Sequence, residues 1–442
     1  MKLTKYNPII NNTIMLLQFS VNNFRSIKDT VTFSMNTASN EASKRSFQAR
    51  DYQLLNSAVI YGANASGKSN VLKAMSFMRN LVLNKPKITQ STDNLPHQPF
   101  RLNTETEQAS SYFEIVFFLD NVKYRYGFEA DSTTVYAEWL YSDEKGKESR
   151  LFDREDNGYV NKSKFKEGDG VKVLDNHLFI WRCDQNNGEI SKKILHWFKN
   201  LNLIDGLENE RYASFALKQM ENTDAKAELL KLVKIADLGI EEIVIEQKDV
   251  TQVATQHFIN NPSIPKEAKQ KMLNEINNGA TAWIESLQSL HKKFNAENQP
   301  IGLVSFELDE DESQGTKKFF TLSAPILDTF EHGGVLLIDE LDASLHPKLT
   351  ECFVKLFSNK ELNKHNAQLI FVTHDIHLLS VPELFERDQI WFTEKNQYGS
   401  TNLYSLLEFR KKNKGKDVRA TDNLEKHYLQ GRYGAVPYVG EL

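Results

Sequence analysis

The chain is 442 residues long, room for about three domains at roughly 150 residues each, which excludes a small stapled scaffold. With 54 Lys and Arg against 59 Asp and Glu, the formal charge of -5 marks neither a nucleic-acid coat nor a disordered acidic chain, so any basic surface is local. Two isolated cysteines, Cys183 and Cys352, argue against a disulfide framework or structural zinc and read as small packed hydrophobes, which fits a reducing cytoplasm. No apolar run approaches the ~18 residues of a membrane helix, and the start of the chain, with Lys2 and Lys5, does not read as a signal peptide.

Residues 1–14 are Asn-rich and aperiodic and read as either a loose leader or an upstream start ahead of Met15. From Leu16 to Phe33, alternation at Leu17, Phe19 and Val21 and again at Val31 and Phe33 predicts two paired strands. Ser57 to Tyr61 predicts a buried strand, and Val71, Leu72, Met75, Met78 and Val82 have helical spacing. Aromatic-rich alternation over 112–119, 123–128 and 134–141 predicts an antiparallel meander, whose rings are expected to pack the sheet rather than stack on bases. Residues 185–235 and 263–297 have helical spacing, the latter at Met272, Ile276, Trp283, Ile284, Leu287 and Leu290, with a strand at Ile240, Ile243 and Ile245 between them. Neither helical stretch sustains heptads long enough for a coiled-coil arm. A strand follows at Gly302 to Leu308.

Between the buried strand and its helix, Gly62-Ala63-Asn64-Ala65-Ser66-Gly67-Lys68-Ser69 matches the P-loop pattern GxxxxGK[ST] in the strand-to-helix context that pattern requires. Backbone amides from Gly62 to Lys68 can wrap phosphates, and Gly67 lacks the Cβ that would block their approach. The helix points its positive end at them, Lys68 would hold the β- and γ-phosphates, and Ser69 would ligate Mg2+. Ala65, Ser66 and Asn70 complete the expected nucleotide contacts. Val335-Leu336-Leu337-Ile338 followed by Asp339-Glu340 reads as a parallel strand ending at an active edge: Asp339 for the Mg2+ shell, Glu340 to orient and deprotonate an attacking water. A third strand, Gln368 to Val372, ends in Thr373-His374, where a histidine can reach a γ-phosphate.

Glu312-Ser313-Gln314-Gly315-Thr316 precedes an apolar series from Phe319 to Phe330 that stops at Gly333-Gly334, a helix of about fifteen residues by its start and stop signals. Its amino end is a second anion site, with the Ser313 hydroxyl and the backbone at Gly315. It serves either the same phosphates within one protomer or the site of a second copy.

In order, these motifs resemble the ABC-type ATPase heads: a P-loop, a Ser-x-Gly helix start 26 residues (339 minus 313) before Asp339, an Asp-Glu strand end, Ser344-Leu345-His346-Pro347 and a Thr-His strand end. Phe19-Ser20-Val21-Asn22-Asn23-Phe24-Arg25-Ser26 is similar to the first strand of the SMC, RecF and OLD branch rather than of membrane transporters. Ile338 to Pro347 and the ending Tyr428 to Pro437 resemble the RloA-like ATPases, including the AbiL and PARIS types of bacterial antiphage systems. The resemblance implies an α/β fold with a first half of the head at 15–184 and a mainly helical insertion at 185–300. It further implies a second half at 301–404 and a basic tail at 405–442.

It also implies Gly62, Asn64, Gly67, Lys68 and Ser69 as Walker A, Asp339 and Glu340 as Walker B, and Ser313 and Gly315 as the signature. Asp342 and Ser344 would form the D-loop, His374 the switch histidine and Gln98 the Q-loop. Two heads would sandwich each ATP between one Walker A and the partner's signature, in a homo-oligomer of head-to-head dimers. The ATPase would sense a phage protein trigger and govern a separately encoded TOPRIM-like nuclease in a form of abortive infection. The usual Leu-Ser-Gly-Gly is Glu312-Ser313-Gln314-Gly315 here, which implies slow hydrolysis.

Two other readings stand beside it. An OLD-type ATPase-nuclease needs a further domain of about 100 residues, against the 68 (442 minus 374) that follow His374. A RecF-like DNA-binding ATPase would use the basic group Arg410, Lys411, Lys412, Lys414, Lys416 and Arg419, which otherwise reads as a solvated face.

Overall fold

The computed structural model describes residues 14–38, 43–155, 160–161, 164–206, 209–236, 238–261, 265–412 and 423–436. The chain folds into two compact units, Met1–Glu208 with Asp328–Leu442, and Asn209–Leu327. Lys414, Lys416 and Arg419 of the basic group, Pro437 of the closing motif, and all of the leader except Ile14 lie outside the described residues.

The first unit opens with β1 (Met15–Asn22), β2 (Val31–Ser34), β3 (Ser46–Ala49), β4 (Tyr52–Leu55), β5 (Ser57–Gly62) and α1 (Lys68–Val82). Then come β6 (Ser111–Leu119), β7 (Val122–Ala130), β8 (Val135–Asp143), β9 (Ser149–Arg154), β10 (Val160–Asn161), α2 (Phe179–Gln185), α3 (Glu189–Lys199) and β11 (Leu201–Asp205). The second unit holds α4 (Asn209–Met220), α5 (Thr223–Ile235), β12 (Ile240–Asp249), α6 (Thr251–Asn260), α7 (Lys266–Asn277), β13 (Trp283–Phe294) and β14 (Pro300–Glu307), and the start of α8 (Gln314–His332). The chain ends with β15 (Val335–Asp339), α9 (Pro347–Ser358), β16 (Gln368–Val372), β17 (Ile390–Lys395), β18 (Thr401–Ser405), α10 (Leu406–Lys412) and α11 (Leu424–Leu429). The fold is α/β. None of the helices, among the described residues, is long and apolar enough to cross a membrane.

Two large sheets, beside the two-stranded β3–β4 pair, form among the described residues of the first unit. The expected β1–β2 pair forms with Phe19 opposite Phe33 and Val21 opposite Val31, and the meander continues it into an antiparallel sheet ordered β10-β9-β8-β7-β6-β1-β2. The other sheet runs β11-β15-β16-β5-β17-β18, parallel except for the β17–β18 hairpin. β15, β16 and β5 are wholly buried, which is why they read as unbroken apolar runs rather than alternating ones.

α1 supplies Val71, Leu72, Met75 and Met78 to the core, each worth roughly 1.5–3 kcal/mol when fully buried. Its Phe77 stacks on Phe113 of β6 at 5.2 Å, while Trp197 of α3 packs on Phe117 at 4.3 Å. The meander's rings thus fill the core, as their strand setting predicts. The fully buried Gln368 side chain ties β16 to β1 and to the end of β4 by accepting from Leu16 N at 2.6 Å and donating to the carbonyls of Leu16 and Leu55 at 3.1 Å each. The closing motif packs on its own core: Tyr428 and Tyr433 stack on Phe392 of β17, and Tyr404 donates to the Tyr433 carbonyl at 2.7 Å.

The organisation expected from 185 to 308 differs from the structure in three places. Leu201–Asp205 is an edge strand of the parallel sheet, paired residue for residue with β15, so α2, α3 and β11 belong to the first unit. Trp283–Phe294 is a strand, not a helix, because it pairs along its length with β12 and β14 in a three-stranded antiparallel sheet. The strand expected at 302–308 belongs to that small sheet and not to the sheet carrying the P-loop. A core of Ala216, Leu229, Val233, Ile243, Leu287 and Phe320 holds the second unit together.

Candidate nucleotide site

β5, β16 and β15 are adjacent and parallel, so their carboxyl ends open on one edge, where ligands of open α/β sheets bind. β16 lies between the other two and places Thr373-His374 between the P-loop and Asp339 along that edge. The loop after β5 turns through Ala65 (φ 62°) and Gly67 (φ 103°) into α1. A Cβ on Gly67 would sit 2.2 Å from Thr401 Oγ1 and 2.8 Å from Ser26 Oγ, so only glycine fits both the dihedral and the space.

Hydroxyl groups underpin the loop. Ser26 Oγ lies 2.8 Å from Thr401 Oγ1 and accepts from Asn70 Nδ2 at 2.7 Å; Thr401 Oγ1 donates to the Ser66 carbonyl at 2.8 Å, and Ser66 Oγ meets Thr393 Oγ1 at 2.6 Å. Asn70 and Ser66 therefore brace the loop, while Asn64 and Ala65 are exposed on it. Lys68 is 5% exposed, and its ammonium donates to the carbonyls of Gly62 (2.8 Å) and Ala63 (3.0 Å), leaving one of its three donors for a phosphate oxygen. Burial pulls the Lys68 pKa below the usual lysine value, against the opposing pull of Asp339, Glu340 and Asp342.

Ser69 Oγ donates to Asp339 Oδ1 at 2.8 Å, and Lys73 approaches the other carboxylate oxygen at 3.9 Å. Burial raises the Asp339 pKa, Asp205 pushes in the same direction, and Ser69, Lys73 and Lys68 resist. An all-oxygen pair of one hydroxyl and one carboxylate suits a hard cation that takes its remaining ligands from phosphates and water, so these residues fit Mg2+. Among the described residues no group of three or more His, Cys, Asp or Glu could cage a metal without such help.

Glu340 follows in the left-handed region (φ 53°), which turns the chain so that Leu341 N donates to the Val372 carbonyl at 3.1 Å on β16. Ser344 is also left-handed (φ 60°), and strained non-glycine residues of this kind gather at active sites. The Asp342 carboxylate accepts from His374 N at 3.2 and 3.3 Å, which joins the D-loop candidate to the candidate switch histidine; His374 itself is exposed.

The sequence reading missed Asp205, Gly206, Ser26, Thr393 and Thr401. Asp205 stands opposite Asp339 in register, and Gly206 N donates to the Asp339 carbonyl at 2.8 Å. A Cβ at 206 would lie 2.3 Å from the Glu340 carbonyl oxygen, and neither is a flexible side-chain end that can give way. Gly206→Ala is therefore expected to lower stability by about 1–3 kcal/mol in denaturant unfolding; an unchanged midpoint would mean that this turn relaxes freely.

Gln98 lines a cleft of about 420 Å3 with Arg25, Ser26 and Lys395, and bonds to Arg25 through both its carbonyl (2.7 Å) and its side chain (2.6 Å). Ser313 and Gly315 stand in the second unit. Ser313 is exposed and caps α8, its Oγ accepting from Thr316 N at 3.1 Å and lying 2.8 Å from Thr316 Oγ1. Gly333 (φ 67°) ends that helix with its N–H on the Thr329 carbonyl at 2.9 Å.

Residues 57–380 match a family profile described as "AAA domain, putative AbiEii toxin, Type IV TA system". No curated protein matches the chain. Among solved structures, the SMC head domain from Thermotoga maritima shares 13% identity at a TM-score of 0.39, over 88% of this chain and 98% of that one. A Smc head domain from Pyrococcus furiosus, with an extended coiled coil and bound to the C-terminal domain of ScpA, gives 14% and 0.33 over 90% and 98%. The RecF-ATP structure of the RecFOR pathway gives 14% and 0.30 over 82% and 95%.

Proposed function

The chain belongs to the AAA-domain family whose description names an AbiEii toxin and a type IV toxin–antitoxin system, and from that premise we propose that it is an ATP hydrolase acting as a regulatory switch. The observation that carries this is the 2.8 Å contact between Ser69 and Asp339, 270 residues apart, beside the lysine of a P-loop. A hydroxyl at the head of one helix and a carboxylate at the end of a separate strand meet where a nucleotide's metal would lie.

The chain's own residues then have distinct tasks. The backbone from Gly62 to Lys68 cradles the phosphates at the positive end of α1, and Lys68 holds their terminal oxygens. Ser69 and Asp339 would hold Mg2+, which when bound neutralises charge on the phosphate oxygens. Glu340 takes the proton of the attacking water, and His374 reaches toward the γ-phosphate. Ser313 and Gly315 receive the nucleotide held by a second copy: when Thr316 N and the Thr316 hydroxyl both donate to its oxygen, the Ser313 hydroxyl offers its own proton to a phosphate.

ATP thus closes head-to-head dimers, and hydrolysis opens them. The family's toxin–antitoxin description supports an output through a toxic effector, which we assign to a separately encoded TOPRIM-like nuclease in cytoplasmic antiphage defence, triggered by a phage protein.

Mixing two crippled protomers tests the shared site. Lys68→Ala and Ser313→Arg should each abolish turnover alone. Their mixture should regain about a quarter to a half of wild-type activity, because one of the two pockets in a heterodimer pairs an intact P-loop with an intact signature. No recovery at any ratio would exclude sharing in trans.

A further inference from the structure

Glu312 stands where the signature of ABC-type heads usually has leucine, next to the residue that is to meet a phosphate. A free carboxylate there would repel the incoming anion. In the second unit, however, Glu312 is turned inward: its side chain is 13% exposed, while Ser313 and Gln314 are exposed. Its Oε1 accepts from His291 Nε2 at 2.6 Å and from Ser289 Oγ at 2.5 Å. Both donors lie on β13, two residues apart and so on one face of the strand. Ser289 is fully buried, and the imidazole is held edge-on to Phe306 of β14 with ring centroids 5.3 Å apart. The small sheet therefore presents two rigidly placed donors to one carboxylate oxygen.

We infer that His291 and Ser289 are positioning residues that hold the Glu312 carboxylate turned inward, so that Ser313 and Gly315 face the partner's nucleotide with that negative charge directed away from it. This rests on the composite-site reading above. It gives the small sheet a role in the site: β13 sets the electrostatics of the α8 amino end although it touches no nucleotide. The Glu-for-Leu exchange, which by itself would weaken the signature, is compensated within the same unit.

The test uses the full chain carrying Glu340→Gln, so that bound ATP persists, and measures the ATP-dependent dimer dissociation constant by sedimentation. Adding His291→Ala is expected to weaken dimerisation about tenfold, by uncovering the carboxylate. Adding Glu312→Gln to that variant is expected to restore it, and His291→Gln, which keeps a donor, to lose little. Ser289→Ala, expected to move in the same direction as His291→Ala, serves if the latter does not fold. Unchanged dimerisation in both single variants, or no restoration by Glu312→Gln, would overturn the inference. Ser313→Arg in the same background separates the two ideas. Normal dimerisation by that variant would sink the composite site itself, whereas its failure alongside an indifferent His291→Ala would sink only the role of His291 and Ser289.

Discussion

Glu340→Gln is expected to preserve ATP binding while slowing hydrolysis by ~10^2 to 10^4, the contribution of a positioned acid or base. The substitution is nearly isosteric, so the left-handed turn at 340 and the Leu341 bond to β16 should persist. What is lost is the capacity to take a proton: a glutamine amide can orient water but cannot accept its proton in the transition state. Nucleotide affinity should hold, since Lys68, Ser69 and Asp339 are untouched, and ATP-bound dimers should accumulate. Single-turnover phosphate release read beside equilibrium nucleotide binding distinguishes these effects; unaltered turnover would remove Glu340 from the mechanism.

Lys68→Ala should act earlier, at binding. The lysine ammonium is almost enclosed and bridges the carbonyls of Gly62 and Ala63, so its loss removes a charge-assisted bond to phosphate and leaves two loop carbonyls short of a donor. A bond to a charged group is worth about 1.5–3 kcal/mol, which predicts nucleotide affinity lower by roughly tenfold to a hundredfold. ATP-dependent assembly should fail with it. Calorimetric titration that found wild-type affinity would undercut the P-loop assignment.

The parts of the site that were legible in the sequence are those whose signal is local. The P-loop, Val335–Asp339 and Gln368–Val372 each announce themselves within five to eight residues, because a buried parallel strand is continuously apolar and the polar residue ending it stands out. Asp205 escaped because its strand has five residues and only Leu201 and Ile204 are buried on it; its neighbour Asp339 is what identifies it. Trp283, Ile284, Leu287 and Leu290 fit a helical repeat, yet pairing with Ile243 and Ile245 across β12 made the segment a strand, a case of tertiary context overriding pattern. Thr393 and Thr401 carry no local mark at all, and the motif that ends at Ser26 says nothing of that hydroxyl's contact with the loop. Their role arises only from three distant stretches meeting beneath Gly67.

That meeting has a consequence for how the protein is made. The Thr401 hydroxyl that props the Ser66 carbonyl lies 335 residues downstream of it. At the usual pace of ~5–20 residues per second, a ribosome that has delivered the loop translates for roughly another 20–70 s before its support exists. Closure of so distant a contact is also slow in the folding chain itself. Bracing of the P-loop therefore waits until Thr401 has been made, and a chain that stopped short of it would hold the loop without this support.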